Sequence, residues 1–134
     1  MPFFSVIIPT YNRAHIIEKT ILSVEKQTFT DWECIVVDDG SQDNTQQILQ
    51  SICSKNSKVK YIYQKNAERS AARNNGIKNA QGEYICFLDS DDIFLENHLS
   101  ELYNSITEKK KPQGLFFSNY SILNNETVHE VDIP

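Results

Sequence analysis

The apolar run Tyr84-Ile85-Cys86-Phe87-Leu88 passes without a break into Asp89-Ser90-Asp91-Asp92, which puts three carboxylates within four residues. A second acidic pair, Asp38-Asp39, ends another apolar run and is followed by Gly40-Ser41. Carboxylates brought together repel one another and raise each other's pKa unless something neutralises them. In locally extended chain Asp89 and Asp91 point to the same side, the spacing with which two carboxylates share one hard cation. Oxygen ligands suit magnesium or manganese, and a magnesium ion usually completes its shell with phosphate oxygens. A diphosphate ligand would supply them. The structural alternative is that some of these side chains cap the helices that follow, and Asp38 and Asp92 fit either reading.

Two further groups stand near these ends. Pro9-Thr10-Tyr11-Asn12 follows the first apolar run. Tyr11 there either packs against the fold or offers a flat amphipathic ring on which a base can stack. Arg69 and Arg73 lie four apart on one helix face. They form a solvated face, with Glu68 as partner, or Arg73 turns to the acidic edge as a clamp for phosphate or carboxylate.

Positioning these groups requires a scaffold of alternating strands and helices. Phe3 to Ile8 reads as a buried strand stopped by Pro9. Asn12 is placed to cap a helix whose stripe is Ile17, Ile21 and Val24. Trp32 to Val37 is the second strand, and Ser41 is placed to cap a helix turning Ile48, Leu49 and Ile52 inward. Val59 to Tyr63 alternates as an exposed or edge strand does. The Ala-rich stretch 66–80 reads as a helix closed by Gly82 as its C′ residue. The run 84–88 reads as a fully buried strand. A helix with Leu95, Leu99, Leu102 and Ile106 on one face follows, then a strand from Gly114 to Tyr120. The tail from Asn124 is polar and shows no element. Regular βα alternation predicts an α/β fold, a Rossmann-like three-layer sandwich with a mostly parallel central sheet. In such sheets ligands bind beyond the carboxyl ends of the strands, where all the groups above fall.

Composition bounds the rest. With 134 residues, 40% of them apolar and 23% charged, the chain is expected to be one globular domain over residues 1–134. No apolar run approaches the roughly 18–20 residues of a membrane span, and no secretory signal opens the chain. A cytoplasmic protein, working at most at the inner face of the membrane, is expected. A net charge of −5 lacks the basic footprint of a nucleic-acid binder. Cys34, Cys53 and Cys86 are irregularly spaced and read as reduced thiols, not as a disulfide or zinc framework.

The segments 4–45, 66–77 and 82–92 together resemble, in order and spacing, the nucleotide-binding half of the family-2 glycosyltransferases, inverting enzymes of GT-A fold. The resemblance covers roughly residues 3 to 120. It implies that Tyr11 stacks on the base of a nucleotide-diphospho-sugar, a UDP-sugar before others, that Asp39 hydrogen-bonds that base, and that Pro9 and Thr10 line the pocket. The arginine of the family's Ala-Arg-Asn stretch falls on Arg73, near base and phosphates. In the DxD signature, Asp89-Ser90-Asp91, it implies that Asp89 approaches the ribose and Asp91 coordinates Mn²⁺ or Mg²⁺ on the diphosphate. The acceptor would be a glycan or lipid-linked hydroxyl in polysaccharide synthesis. Many members carry glycine where this chain has Glu68 and Arg69, so the loop shape or its sugar contacts are expected to differ. The family's catalytic base lies on a later, acceptor-binding segment, and neither Glu126, Glu130 nor Asp132 is marked as one. The expectation is therefore a truncated amino-terminal part that binds donor without the base. Three other readings compete: a nucleotide-sugar-binding module without turnover, a haloacid-dehalogenase-type phosphatase with Asp89 as nucleophile, and a receiver domain. The signature strand comes fourth where a phosphatase needs it near the start.

Overall fold

In the computed structural model of the chain the described residues are 1–110, 114, 120–124 and 127–131. They form two compact units, Met1–His98 and Leu99–Pro134. In the first, β1 (Phe4–Thr10), β2 (Trp32–Asp38), β3 (Val59–Tyr63) and β4 (Tyr84–Phe87) make one sheet in the order β3-β2-β1-β4, and every pair is parallel. The crossovers are α1 (Ile17–Glu25), α2 (Thr45–Lys55) and α3 (Glu68–Asn79). In the second unit lie α4 (His98–Glu108) from its second residue onward and an antiparallel hairpin of β5 (Tyr120–Asn124) and β6 (Thr127–Val131). The expected α/β class and parallel sheet are present.

Every residue of β1 and β2 is buried, because both strands lie inside the sheet with helices over its faces. On α1 the buried stripe is Ile17, Thr20, Ile21 and Val24, one helical face. On α2 only Thr45 and Leu49 are fully buried, with Ile48 and Ile52 partly so. α3 packs on β1 and β2 through its small residues: a Cβ on Gly76 would stand 2.5 Å from Ile7 Cγ2. This close seating is what an Ala- and Gly-bearing helix permits.

Several local expectations are corrected. Pro9 does not stop β1, which runs on through Pro9 to Thr10. Odd-numbered residues of β1 bond towards β4, as in Leu88 N–H to Ile7 O, and β4 ends opposite Ile7, so the missing N–H of Pro9 leaves no ladder bond unmade. β4 is not fully buried. It has β1 on one side only, and Ile85 and Phe87 remain 40% and 48% exposed. Gly82 is not a helix C′ residue, since α3 closes at Ala80. Its role is close approach, because a Cβ there would stand 2.5 Å from the Ser5 backbone nitrogen. Neither Asn12 nor Ser41 caps a helix: the cap positions of α1 and α2 are Ile16 and Asn44. Leu95 precedes α4 and is exposed, while Leu99 and Ile106 are buried. Of the expected strand 114–120 only Gly114 and Tyr120 are described, and Tyr120 opens β5. β6 was unforeseen in a stretch whose β-branched residues, Thr127, Val128 and Val131, are its sole local signal. All three cysteines are free.

At the amino end of the sheet, opposite the acidic ends, Glu33 is a buried knot. Its Oε1 accepts from Ser5 Oγ and from the Gln81 N–H, both at 2.6 Å, and Lys60 Nζ lies 2.6 Å from Oε2. Ser5 Oγ in turn accepts from the Gly82 N–H at 2.8 Å. The knot ties β1, β2, β3 and the turn into β4. Burial works against ionisation of Glu33, but bonds from Lys60, Ser5 and Gln81 outweigh it and hold the carboxyl below its ordinary value of 4.5. A depressed folded pKa stabilises the fold above the unfolded value, and this contribution is lost as pH falls through the folded one. Glu33→Gln is therefore expected to lower stability at pH 7 by about 2 kcal/mol, with the gap to the parent narrowing below pH 4.5. Urea unfolding of both proteins at pH 7 and in acid measures this, and a pH-independent gap contradicts it.

Candidate functional site

The carboxyl ends of β1 and β2 meet the start of α3 around an open pocket of about 450 Å³. Pro9, Thr10, Tyr11, Asp39 and Ser90, all expected site residues, line it together. Arg13, Asn66, Glu68, Arg69 and Ala72 complete the wall. Arg13 and Asn66 were unmarked by the sequence reading, and the sole available signal was that each adjoins a marked loop. Tyr11 is 45% exposed, so its ring stands open at the pocket and is not packed away. Thr10 is buried, yet its Oγ1 has no hydrogen-bond partner, an arrangement a ligand group would complete.

Asp39 is the hub of this pocket. Its Oδ1 accepts from Gln64 Nε2 and from the Ala67 N–H, both at 2.8 Å. Its N–H donates to Thr10 O at 2.9 Å, and its carbonyl accepts from Asn66 Nδ2 at 3.0 Å. Gly40 follows with φ +82, and a Cβ there would meet the Asn66 nitrogen at 2.9 Å, so this turn requires glycine. Glu68 also has positive φ, +76, without being glycine. That left-handed residue swings the backbone from Ala67, bound to Asp39, into the first turn of α3. Asp38, in contrast, is spent on structure: Oδ1 accepts from the Ser41 N–H at 2.9 Å and Oδ2 from Tyr61 Oη at 2.8 Å.

Asn12 zips the first loop to the second. Its N–H donates to Ser41 Oγ at 2.9 Å and its Oδ1 accepts from the Gln42 N–H at 2.8 Å. The Ala14 N–H donates to Asp43 Oδ2 at 3.1 Å. Both sides of Arg13 are thus held.

Beyond β4 the acidic run folds back on itself. The Asp92 N–H donates to Asp89 O at 3.0 Å, and Thr20 Oγ1 donates to Ser90 O at 2.9 Å, fixing the turn. Asp89, Asp91 and Asp92 each present a carboxylate oxygen, all within 4.8 Å of one another. Such hard oxygen donors fit a divalent cation. Asp92 begins no helix, which removes its capping alternative. Burial first, then the charges of Asp91 and Asp89, push its pKa above the ordinary carboxylate value. Arg73 turns towards this edge: Nη2 donates to Asp89 Oδ1 at 2.9 Å and the guanidinium lies 5.6 Å from the Phe87 ring centroid. The clamp alternative holds for Arg73, directed at Asp89. Arg73 and Asp89 do not line the pocket itself; Ser90, between Asp89 and Asp91, joins pocket and cluster.

Comparison with known proteins agrees with this fold. The profile described as "Glycosyl transferase family 2" matches residues 5–128. A relative in Escherichia coli, the UDP-Glc:alpha-D-GlcNAc-diphosphoundecaprenol beta-1,3-glucosyltransferase WfgD, is 40% identical over 125 residues, 92% of this chain and 48% of that protein. The structure of Staphylococcus aureus TarS 1-349 in complex with UDP-GlcNAc is similar at a TM-score of 0.75 and 36% identity, over 79% of this chain and 31% of that one. The mannosyltransferase PcManGT from Pyrobaculum calidifontis, in complex with GDP-Man and Mn²⁺, has a TM-score of 0.69 and 25% identity, over 78% of this chain and 32% of that one. The chain spans between 14% and 48% of the length of the curated relatives it matches.

Without a cation the three carboxylates repel. Asp91→Asn is therefore expected to raise the thermal midpoint in EDTA, while abolishing the rise that Mn²⁺ produces in the parent protein. Thermal-shift curves with and without Mn²⁺ test both effects. A midpoint unchanged by the substitution in either buffer contradicts the repulsion argument.

Proposed function

The chain belongs to glycosyl transferase family 2, and from that premise we propose that it is the donor-binding part of an inverting glycosyltransferase. It holds a nucleotide-diphospho-sugar, a UDP-sugar before others, at the carboxyl edge of its sheet for transfer to an acceptor hydroxyl. Family membership displaces the phosphatase and receiver-domain readings. The observation that carries the proposal is the junction at Ser90, where a pocket with an open tyrosine and a carboxylate abuts a three-carboxylate cluster. Base and diphosphate of one ligand need those two environments side by side.

In this reading Tyr11 stacks on the base, Asp39 accepts its ring N–H, and Pro9 and Thr10 form the pocket floor. Asp89 faces the ribose with Arg73 holding its carboxylate in place, and Asp91 is the principal ligand of Mn²⁺ or Mg²⁺ with Asp92 beside it. When bound, the cation would stabilise charge on the departing nucleoside diphosphate. Deprotonation of the acceptor needs a general base, and none is assigned among the described residues. The printed name of the E. coli relative includes a diphosphoundecaprenol-linked substrate. It supports a lipid-linked acceptor, and we place the work at the cytoplasmic face of the membrane as part of the same proposal. Among the described residues no helix is long and apolar enough to cross a membrane.

Calorimetric titration tests the reading. UDP is expected to bind in the presence of Mn²⁺ or Mg²⁺ and to lose tenfold or more of its affinity in EDTA, equivalent to about 1.4 kcal/mol. Asp91→Ala is expected to remove that metal dependence without lowering the thermal midpoint in EDTA below the parent's. Metal-independent binding, or binding of no nucleotide, contradicts the proposal.

A further inference from the structure

From Leu88 to Asn97 the chain beyond β4 forms no helix or strand. Its own side chains do little to fix it: Asp91 and Asp92 are exposed, and Ile93 and Leu95 are 59% and 71% exposed. What holds this loop is a row of polar side chains on α1 and just past its end. Thr20 Oγ1 donates to Ser90 O at 2.9 Å, Ser23 Oγ accepts from the Phe94 N–H at 3.1 Å, and Gln27 Nε2 donates to Leu95 O at 2.6 Å. The row is also knitted to its own backbone, with Ser23 Oγ donating to Thr20 O and Gln27 Nε2 to Ser23 O. Positions i, i+3 and i+7 share one helical face, so α1 presents the three together. A helical threonine can turn its hydroxyl to a carbonyl one turn back. That of Thr20, buried, reaches a loop 70 residues away instead.

The first bond of the row falls at the centre of the carboxylate cluster. The Ser90 carbonyl and the Asp91 nitrogen belong to one planar peptide group. A donor that fixes the carbonyl therefore fixes the plane from which the Asp91 side chain leaves. Asp89 has a tether of its own in Arg73, and its carbonyl accepts from the Asp92 N–H. No ion pair holds Asp91 among the described residues. Its carboxylate must nevertheless stay within 4.8 Å of two others that repel it. The restraint comes through the backbone, at the peptide Thr20 holds.

We propose that Thr20 is a positioning residue for the metal site: its hydroxyl, by fixing the Ser90 carbonyl, sets the direction of Asp91, while Ser23 and Gln27 hold the far end of the loop. The inference rests on the donor-binding function proposed above. None of the three side chains lines the pocket or offers an oxygen to the cluster. Removing the Thr20 hydroxyl should therefore act on the share of donor affinity that depends on the cation and spare the share that does not.

Calorimetric titrations of UDP, with Mn²⁺ and in EDTA, on the parent chain and on Thr20→Val, Thr20→Ala and Thr20→Ser test this, after circular dichroism has shown which variants are folded. Valine keeps the branched shape of threonine and lacks the donor; alanine removes the same donor should valine not be accommodated. Both are expected to lose roughly tenfold or more of the affinity measured with Mn²⁺ and to keep the parent's affinity in EDTA, and Thr20→Ser, which retains the hydroxyl, to stay within about threefold of the parent. Glu33→Gln, which loosens the opposite rim, controls for lost stability and should bind UDP as the parent does in both buffers. If the Thr20 variants keep the parent's dependence on Mn²⁺, if their affinity falls equally in both buffers, or if Glu33→Gln reproduces their loss, the hydroxyl serves only the fold and the inference falls, while the donor-binding reading stands. A parent chain that binds no UDP, or binds it without regard to the metal, overturns both.

Discussion

The carboxylate of Asp39 is the interaction on which the pocket depends. It stands where β2 ends, and its backbone reaches β1 through Thr10 while its side chain reaches the β3–α3 connection through Gln64 and Ala67. Three chain segments distant in sequence are thereby drawn to one point. A buried carboxylate is costly unless its oxygens are satisfied, and here backbone and amide donors satisfy Oδ1. The same bonds that make Asp39 tolerable fix the entry to α3, and with it Arg69. Tyr61 and Ser41 do the corresponding work for Asp38, which is why adjacent aspartates of like appearance divide into a structural one and one that lines the pocket.

Parallel strands explain why so much charge collects at this edge. All four strands of the larger sheet run the same way, so residues ending β1, β2 and β4 arrive at one rim of it. Asp89, Asp91 and Asp92 gather within reach of a single cation, and among the described residues the counter-charge paired with them, Arg73, meets only the first. Burial first, and then the charges of Asp91 and Asp89, raise the pKa of Asp92. At the opposite rim Glu33 shows the contrary solution. Its donors are Ser5, Gln81 and Lys60, and its pKa falls. The acidic run beyond β4 is left under-compensated, as a site kept for a metal and a diphosphate would be.

Much of this was present in the residues themselves. Apolar runs and their βα alternation determined the parallel α/β sheet, since burial of such strands on both faces leaves few other arrangements. The runs ending in Asp38-Asp39 and in Asp89 to Asp92, with Tyr11 after the first strand, determined which residues meet at its carboxyl edge, because that rim follows from strand direction alone. Roles that depend on what a side chain touches were decided only by tertiary structure. Asn12 and Ser41 look like helix caps in isolation, yet they bond to each other's loops, a pairing between residues 29 apart that no local spacing encodes. Gly82 looks like a helix terminator and is instead a point of contact with Ser5. β4 reads as fully buried because its composition is apolar, whereas burial depends on neighbours, and β1 alone adjoins it. Arg73 could have been a solvated cation or a clamp, and only the fold brings it to Asp89 while leaving Arg13 and Arg69 for the pocket. Sequence periodicity carries information about faces and ends; partners across the sheet are set by packing, which is why the chemistry was legible by type and its division of labour only by contact.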